Sequence, residues 1–145
     1  MEATSTQPTT VPGSELAARI DRSMADDRAR SRRTGVISVD FGTPQPDAVV
    51  RVLLARLASI AREGDAVGQI SPTGLLLLAP GLREVDALAQ LVVRVTAELR
   101  GPVEVLGTSY PCSCSVGGAI SDARSTVGAL VDAATGRATG RSTAA

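Results

Sequence analysis

The chain has 145 residues, of which 43% are hydrophobic and 21% are charged, so its composition predicts one soluble globular domain. Fifteen acidic residues balance fifteen basic ones and only Phe41 and Tyr110 are aromatic, which argues against a nucleic-acid partner because neither a positive field nor a stacking platform is present. The chain has no histidine, and this excludes Ser/His/Asp triads, histidine acid-base catalysis and Cys/His zinc sites together.

The sequence contains no recognisable membrane-targeting feature. Its longest wholly apolar run, residues 75–80, is far shorter than the ~20 residues that span a bilayer. Residues 1–15 lack the basic and apolar segments of a secretory signal. We therefore expect a cytoplasmic protein without a membrane partner.

The first predicted helix follows a loose start. Residues 1–8 are rich in Thr, Pro and Ser and are predicted to be disordered. Ser14 is predicted to cap a helix over residues 14–33, whose apolar face carries Leu16, Ile20 and Met24. The end of this helix is basic and contains Arg28, Arg30, Arg32 and Arg33. Because cations favour the negative end of the helix dipole, we interpret the cluster as a solvated helix terminus rather than an anion site.

A strand and the clearest helix come next. Residues 35–41 (GVISVDF) alternate and are rich in β-branched side chains, which predicts a strand, and an irregular connection follows at 42–46. Helical spacing predicts a helix over residues 47–63, which Asp47 caps and Gly64 stops. Its apolar face consists of Val49, Val50, Leu53, Leu57, Ile60 and Ala61.

A hairpin is predicted in the middle of the chain. Residues 66–70 and 75–79 are its strands, with Pro72 early in the turn and Gly74 late in it. Residues 75–78 are four consecutive leucines. A strand without alternation is typical of one that is buried on both faces.

The remaining elements complete the fold prediction. A second amphipathic helix is predicted within residues 82–100, with an inner stripe of Val85, Leu88, Val92, Val95 and Leu99. Strands are predicted at 103–106 and 112–120, and a weak helix within 126–145. This order predicts an α+β fold, a ferredoxin-like or palm-type βαββαβ arrangement in which an antiparallel sheet carries its helices on one face.

Six segments carry a resemblance to a known family. They are TTVPGS (9–14), VISVDF (36–41), PDAVVRVLLARLASIAREGD (46–65), AVGQISPTGLLLLAP (66–80), CSVGGAI (114–120) and VDAATGRATGR (131–141). Together they resemble the GGDEF domain of the bacterial diguanylate cyclases, which join two GTP molecules into cyclic di-GMP. The resemblance implies a GGDEF-like domain over residues 9–141, followed by a flexible tail at 142–145.

The turn that names the family is degenerate here. It falls on Ser71, Pro72, Thr73, Gly74 and Leu75, none of which is the family's residue. In an active member, glycines of this signature turn (residues 71–75) let the backbone approach the substrate, and its acidic residues supply a metal ligand. The family's other metal carboxylate falls on Ser38. Because two Mg²⁺ ions need several carboxylates, the resemblance implies no metal, no catalytic residue and no cyclase activity.

Other family positions are also altered. Asp40 remains on its strand, where we interpret it as a polar strand or turn residue. The segment that carries the guanine-reading asparagine is shortened to FGTPQP. Asp47 matches a guanine-contacting aspartate, although a helix cap explains it equally well. The phosphate-contacting lysine falls near Thr139.

A product-binding motif is the main candidate site. Many GGDEF domains carry Arg-x-x-Asp just before the signature turn, and Arg62 and Asp65 stand at that spacing, with Arg94 near the place of a second arginine. Such groups can clamp phosphate and accept from guanine N–H groups. The alternative is structural: Arg62 is a cation in the last helical turn, Gly64 the stop signal, Asp65 the start of a strand and Arg94 part of a solvated helix face.

Cys112 and Cys114 are predicted to be structural. They lie two residues apart in a predicted strand, so their side chains point to one face and a mutual disulfide is awkward. With no further cysteine and no histidine, a metal site lacks partners.

Two functions from different classes follow. The first is a catalytically inactive regulatory module in cyclic di-GMP signalling that acts through a protein partner or through self-association. The alternative is a cyclic di-GMP receptor that uses Arg62 and Asp65, and a residual cyclase ranks third. Since no sensor or hydrolase domain accompanies the module in this sequence, we expect its signal to arrive through a ligand or partner.

Overall fold

The computed structural model describes residues 9–139, and the predictions of a disordered segment at 1–8 and a flexible tail at 142–145 lie outside these residues. The strands are β1 (Thr9–Thr10), β2 (Arg33–Asp40), β3 (Ala66–Ser71), β4 (Gly74–Leu82), β5 (Val103–Val105), β6 (Thr108–Tyr110) and β7 (Ser115–Ile120). The helices are α1 (Gly13–Ala29), α2 (Asp47–Ile60), α3 (Val85–Glu98) and α4 (Val127–Ala138). Within the described part of the chain, none of these helices is both long and apolar enough to cross a bilayer.

Five strands form one sheet in the order β1-β3-β4-β2-β7. β1 runs parallel to β3, and the other neighbours are antiparallel. β5 and β6 form a separate hairpin. The predicted α+β class with an antiparallel sheet is confirmed, and β4 is the central strand.

The helices cover both faces of this sheet, so the prediction of a single covered face is wrong. One core joins α2 and α3 to Leu75 and Leu77 of β4, and a second joins α1 and α4 to Leu76 and Leu78. The leucines divide in this way because successive side chains of a strand point to opposite faces. All four are at most 2% exposed, which confirms that this strand is buried on both faces.

The N-caps of two helices differ from the prediction because prolines precede both helices. α1 begins at Gly13 after Pro12, and α2 begins at Asp47 after Pro46. Both prolines have a φ close to −60°, which suits entry into a helix, and neither N-cap position makes a side-chain hydrogen bond. The predicted caps Ser14 and Asp47 are therefore wrong, since both residues lie inside the first turn.

The arginine cluster is divided by the end of α1. The helix ends at Ala29, so only Arg28 lies in its last turn, where the guanidinium donates to the Ser125 carbonyl at 2.8 Å. Ser31 then takes a left-handed φ of 57°, and β2 begins at Arg33. The interpretation as a solvated helix terminus holds for Arg28 and for Arg30, the exposed C-cap residue of α1, and is wrong for Arg32 and Arg33.

A buried carboxylate ties the end of α1 to the sheet. Asp27 is 6% exposed and accepts from the Thr34 hydroxyl at 2.6 Å and from the Gly81 backbone N–H at 3.0 Å. Its own carbonyl accepts from the Arg32 backbone N–H at 2.7 Å. Asp27 thereby holds α1, β2 and β4 together at one end of the sheet.

One further boundary and one predicted core residue are wrong. α2 ends at Ile60, short of residue 63, and Gly64 lies in the following turn with a φ of 90°. Val85 was placed on the inner stripe of its helix, yet it is the first residue of α3 and is 51% exposed.

Only the first strand of the β5–β6 hairpin is predicted by the sequence. Its turn consists of Leu106 and Gly107, which both have positive φ angles of 50° and 83°. Val105 pairs with Thr108 across this turn. No alternation indicated β6, because the strand has only three residues.

Gly117 of β7 marks a close approach between the sheet and α4. A Cβ atom there would lie 2.6 Å from the Ala134 carbonyl oxygen and 2.7 Å from the Arg137 carbonyl carbon, and it would also contact the Ala138 backbone nitrogen. Because backbone atoms cannot escape by changing rotamer, we expect Gly117→Ala to lower the free energy of unfolding by about 2–3 kcal/mol in a denaturant titration.

The matched control is Gly128→Ala within α4 itself. A Cβ atom there meets nothing within 4 Å, so the variant should be neutral or up to about 0.5 kcal/mol more stable, because alanine favours a helix. Equal effects of the two substitutions would contradict the close approach.

Candidate functional site

The signature turn is tight and uncharged. Pro72 and Thr73 connect Ser71 to Gly74, and these two flanking residues are paired in register. The Thr73 backbone N–H donates to the Ser71 hydroxyl at 3.2 Å, and the Thr73 carbonyl accepts from the Phe41 backbone N–H at 2.8 Å. The turn is closed by its own hydroxyl and backbone groups, and it offers a metal ion no carboxylate.

Ser38 stands where the resemblance implies a metal-binding carboxylate. It is 2% exposed, and its hydroxyl lies 3.2 Å from the Thr135 hydroxyl of α4. Asp40 is half-buried at the end of β2, where it pairs with Gly74 on one side and Ser115 on the other. Within residues 9–139, no three Cys, Asp or Glu side chains cluster in a way that could hold a metal ion.

Asp47 and Thr139, the two other family positions, lie at helix ends. Asp47 is exposed at the first residue of α2, where a negative charge is favourable to the helix dipole. The Thr139 hydroxyl, at the end of α4, donates to the carbonyls of Thr135 and Gly136 at 3.1 and 3.3 Å. The local backbone accounts for both residues.

Arg62 and Asp65 form an ion pair in the connection between α2 and β3. Arg62 Nη2 lies 3.3 Å from Asp65 Oδ1, and the Arg62 backbone N–H donates to Oδ2 at 2.8 Å. Nη2 also donates to the Pro80 carbonyl at 3.1 Å. Because α2 ends at Ile60, the alternative that placed Arg62 in the last helical turn is wrong.

The two partners of this pair differ in exposure. The side chain of Asp65 is fully buried, whereas that of Arg62 is 46% exposed. Burial raises the pKa of Asp65, although the hydrogen bonds and the charge of Arg62 oppose this. Both oxygens of Asp65 already accept from Arg62. In this conformation Asp65 stabilises the connection between α2 and β3 and has no exposed oxygen that could accept from a guanine N–H group.

Arg62 and Arg94 line one cavity of about 180 Å³. Its other lining residues are Leu82, Ala87, Gln90 and Leu91. The structure thus brings the two predicted arginines together and leaves Asp65 outside the lining. Since drug-sized ligands fill roughly 300–1,000 Å³, this cavity suits one phosphate group or one base.

Gln90 is the lining residue that sequence reasoning missed. It precedes Arg94 by four residues on α3, so the two side chains share a face of the helix. This i, i+4 spacing is the sequence feature that could have identified Gln90 as a neighbour of Arg94.

Cys112 and Cys114 lie before β7, because the strand predicted from residue 112 begins at Ser115. The strand geometry that makes a disulfide awkward therefore does not apply to them. Their Sγ atoms are 3.9 Å apart, and both side chains are half-buried.

The architecture is that of GGDEF domains in solved structures. The GGDEF domain of YfiN (TpbB) from Pseudomonas aeruginosa matches with a TM-score of 0.79 at 17% identity, over 93% of this chain and 91% of that chain. The diguanylate cyclase SiaD from the same organism, solved with its activator SiaC, matches with a TM-score of 0.72 at 21% identity, over 90% and 52%. The GGDEF domain of DgcB from Caulobacter crescentus, solved with c-di-GMP, matches with a TM-score of 0.69 at 11% identity, over 98% and 95%.

These comparisons establish the fold. No protein-family profile and no curated protein sequence matches the chain. The resemblance read from the sequence is confirmed as a GGDEF-like fold.

The raised pKa of Asp65 predicts a pH-dependent contribution to stability. The folded state holds the Asp65 proton to a higher pH than the unfolded state, whose pKa is near 3.8. The stability of the wild type relative to Asp65→Asn should therefore be greatest in acid and fall as the pH rises through the folded pKa. Denaturant titrations of both proteins from about pH 4 to about pH 7 measure this difference.

Glu63→Gln is the control, because Glu63 is an exposed carboxylate in the same connection. Its difference from the wild type should vary less with pH. A wild type that gains stability over Asp65→Asn as the pH rises would contradict the prediction.

Proposed function

We propose that the chain is a catalytically inactive GGDEF-like domain that acts as a regulatory protein-interaction module in cyclic di-GMP-type signalling. The observation that best supports this proposal comes from one end of the sheet, where the signature turn is uncharged and Ser38 is buried against Thr135. Phosphoryl transfer of this kind relies on metal ions held by carboxylates. Asp40 alone is too little for a two-metal site.

The losses extend to substrate recognition. The connection between β2 and α2 spans only residues 41–46, which leaves no room for a guanine-reading segment. The hydroxyl of Thr139, which lies near the position of the family's lysine, donates to backbone carbonyls. Because this chemistry depends almost wholly on positioning and electrostatics, losing metal, base and phosphate contacts together should abolish it rather than slow it.

Exposed apolar side chains support a role in protein contacts. Leu106 is fully exposed at the tip of the β5–β6 hairpin, and it holds a left-handed φ of 50° that disfavours leucine. Val93 of α3 is 68% exposed. SiaD, which has the same fold, is solved in complex with its activator, so a protein partner is in keeping with this architecture.

Leu106→Asn tests the interaction role. Asparagine tolerates the left-handed conformation better than leucine, so the variant should be at least as stable as the wild type. If Leu106 anchors a contact, the variant should lose association in sedimentation velocity, measured on the chain alone and mixed with an active GGDEF domain. Ser109→Asn, an exposed substitution on the same hairpin, should keep it. A wild type that associates in neither experiment would count against the module.

A cyclic di-GMP receptor is the second candidate, and one observation favours it. Arg62 and Arg94 line the same cavity, and the guanidinium of Arg62 is exposed enough to reach a ligand. An arginine fork matches the oxygens of a phosphate bidentately. Since Asp65 is buried and paired, recognition in this site would rest on the arginines.

Nucleotide assays separate the three functions. The purified chain incubated with GTP and Mg²⁺ should form no cyclic di-GMP, whereas an active GGDEF domain assayed in parallel should. In calorimetry, a receptor should bind cyclic di-GMP at micromolar concentration, and Arg62→Ala or Arg94→Ala should weaken binding at least about tenfold. Arg51→Ala, an exposed arginine of α2, is the control.

Each outcome of these assays has one meaning. Product formed from GTP would overturn the inactive assignment. Binding that disappears in Arg94→Ala but not in Arg51→Ala would replace the module by the receptor, whereas Arg62→Ala also leaves the buried Asp65 unpaired. Binding of neither nucleotide would leave the protein-interaction module as the function.

A further inference from the structure

The two cysteines are used by neither proposed function. They flank Ser113 in an irregular segment that precedes β7. Both side chains pack against the core beneath α2 and α3. Their Sγ atoms approach to 3.9 Å, which is close to sulfur contact distance.

An open cavity of about 280 Å³ gives solvent access to this pair. It is lined by Thr96, Leu99, Arg100 and Gly101 together with Cys112, Ser113 and Cys114. Arg100 supplies a cation to the lining of this cavity. Burial, the neighbouring Cys112 and Asp40 raise the pKa of Cys114, and the charge of Arg56 opposes this. The guanidinium of Arg100 favours the approach of a small anionic reagent.

We propose that Cys112 and Cys114 form a redox-active dithiol that closes into an intrachain disulfide by exchange with a small anionic disulfide such as oxidised glutathione. A disulfide needs the sulfur atoms at about 2.05 Å. The pair must therefore close from 3.9 Å. Because the segment before Ser115 is paired with no strand, this movement breaks no ladder hydrogen bond.

The exchange balances in two steps. The Cys112 thiol loses its proton to water, and its thiolate attacks one sulfur of oxidised glutathione, forming a mixed disulfide and releasing one glutathione thiolate. The Cys114 thiol then loses its proton, and its thiolate attacks the Cys112 sulfur and releases the second glutathione thiolate. Two protein thiols are oxidised and one small disulfide is reduced to two thiols.

The environment of the sulfur atoms sets this order. Burial and the neighbouring Cys112 raise the pKa of Cys114 to about 12, so Cys114 is protonated at neutral pH and is a poor first nucleophile. The electrostatic effect of Cys112 disappears once its sulfur is in the mixed disulfide. Cys114 is then the resolving thiol.

The short loop makes the disulfide reversible. A bridge between residues two apart removes little entropy from the unfolded chain, so it adds little stability and is readily reduced. Closure would constrain the entry into β7, beside Asp40 at the sheet end that carries the signature turn.

The test is equilibration of the full chain with mixtures of reduced and oxidised glutathione, followed by alkylation with N-ethylmaleimide and intact mass analysis. The wild type should convert to a species that lacks two hydrogens and takes no alkyl group. Cys114→Ser should stop at a stable glutathione adduct. Cys112→Ser should react severalfold more slowly than Cys114→Ser, because burial still raises the pKa of the remaining Cys114 thiol.

Three results would overturn the proposal: alkylation of both wild-type thiols at every ratio, a wild-type adduct that is never resolved, or disulfide-linked dimers as the main oxidised product. Ser113→Ala is the control and should oxidise as the wild type does. Circular dichroism of each variant checks that it is folded.

Discussion

The burial of β4 on both faces is the constraint on which the rest of the fold depends. Four leucines stand in a row on the central strand, and each is at most 2% exposed. Leaving one such side chain in water forfeits about 1.5–3 kcal/mol, so neither face can stay bare. α2 and α3 therefore cover one face and α1 and α4 the other, and Gly117 lets α4 approach the sheet closely enough to do so.

The same strand shows why the fold does not depend on the residues of the signature turn. β4 begins at Gly74, where the signature turn ends, so the strand and the turn are adjacent but make different demands. The strand needs apolar volume, and the turn needs only a tight backbone, which Pro72 and the Ser71 hydroxyl help to form. Ser38 likewise keeps its place by bonding to Thr135. The sheet and the proposed loss of activity are compatible, because the side chains that pack the core are not those of the signature turn.

In the Arg62–Asp65 pair, Asp65 has a structural role, whereas Arg62 remains accessible to a ligand. Asp65 is buried and must be paired, because an unpaired buried carboxylate would strongly destabilise the fold. Arg62 satisfies it while remaining 46% exposed and sharing a cavity with Arg94. A ligand at this cavity would meet Arg94 and also Arg62, which is already held in place by Asp65 and the Pro80 carbonyl.

The α+β class, the hairpin, the doubly buried strand and the absence of charge in the signature turn could all be predicted from the amino-acid sequence, because periodicity and residue chemistry are local properties. It also predicted the GGDEF-like fold and named Arg62, Asp65 and Arg94. The folded structure was needed to show which faces the helices cover, where α1 and α2 end, that Asp65 is buried while the two arginines share a cavity, and that Cys112 approaches Cys114. These depend on packing between segments distant in the chain and on backbone paths through irregular connections, which local pattern does not encode.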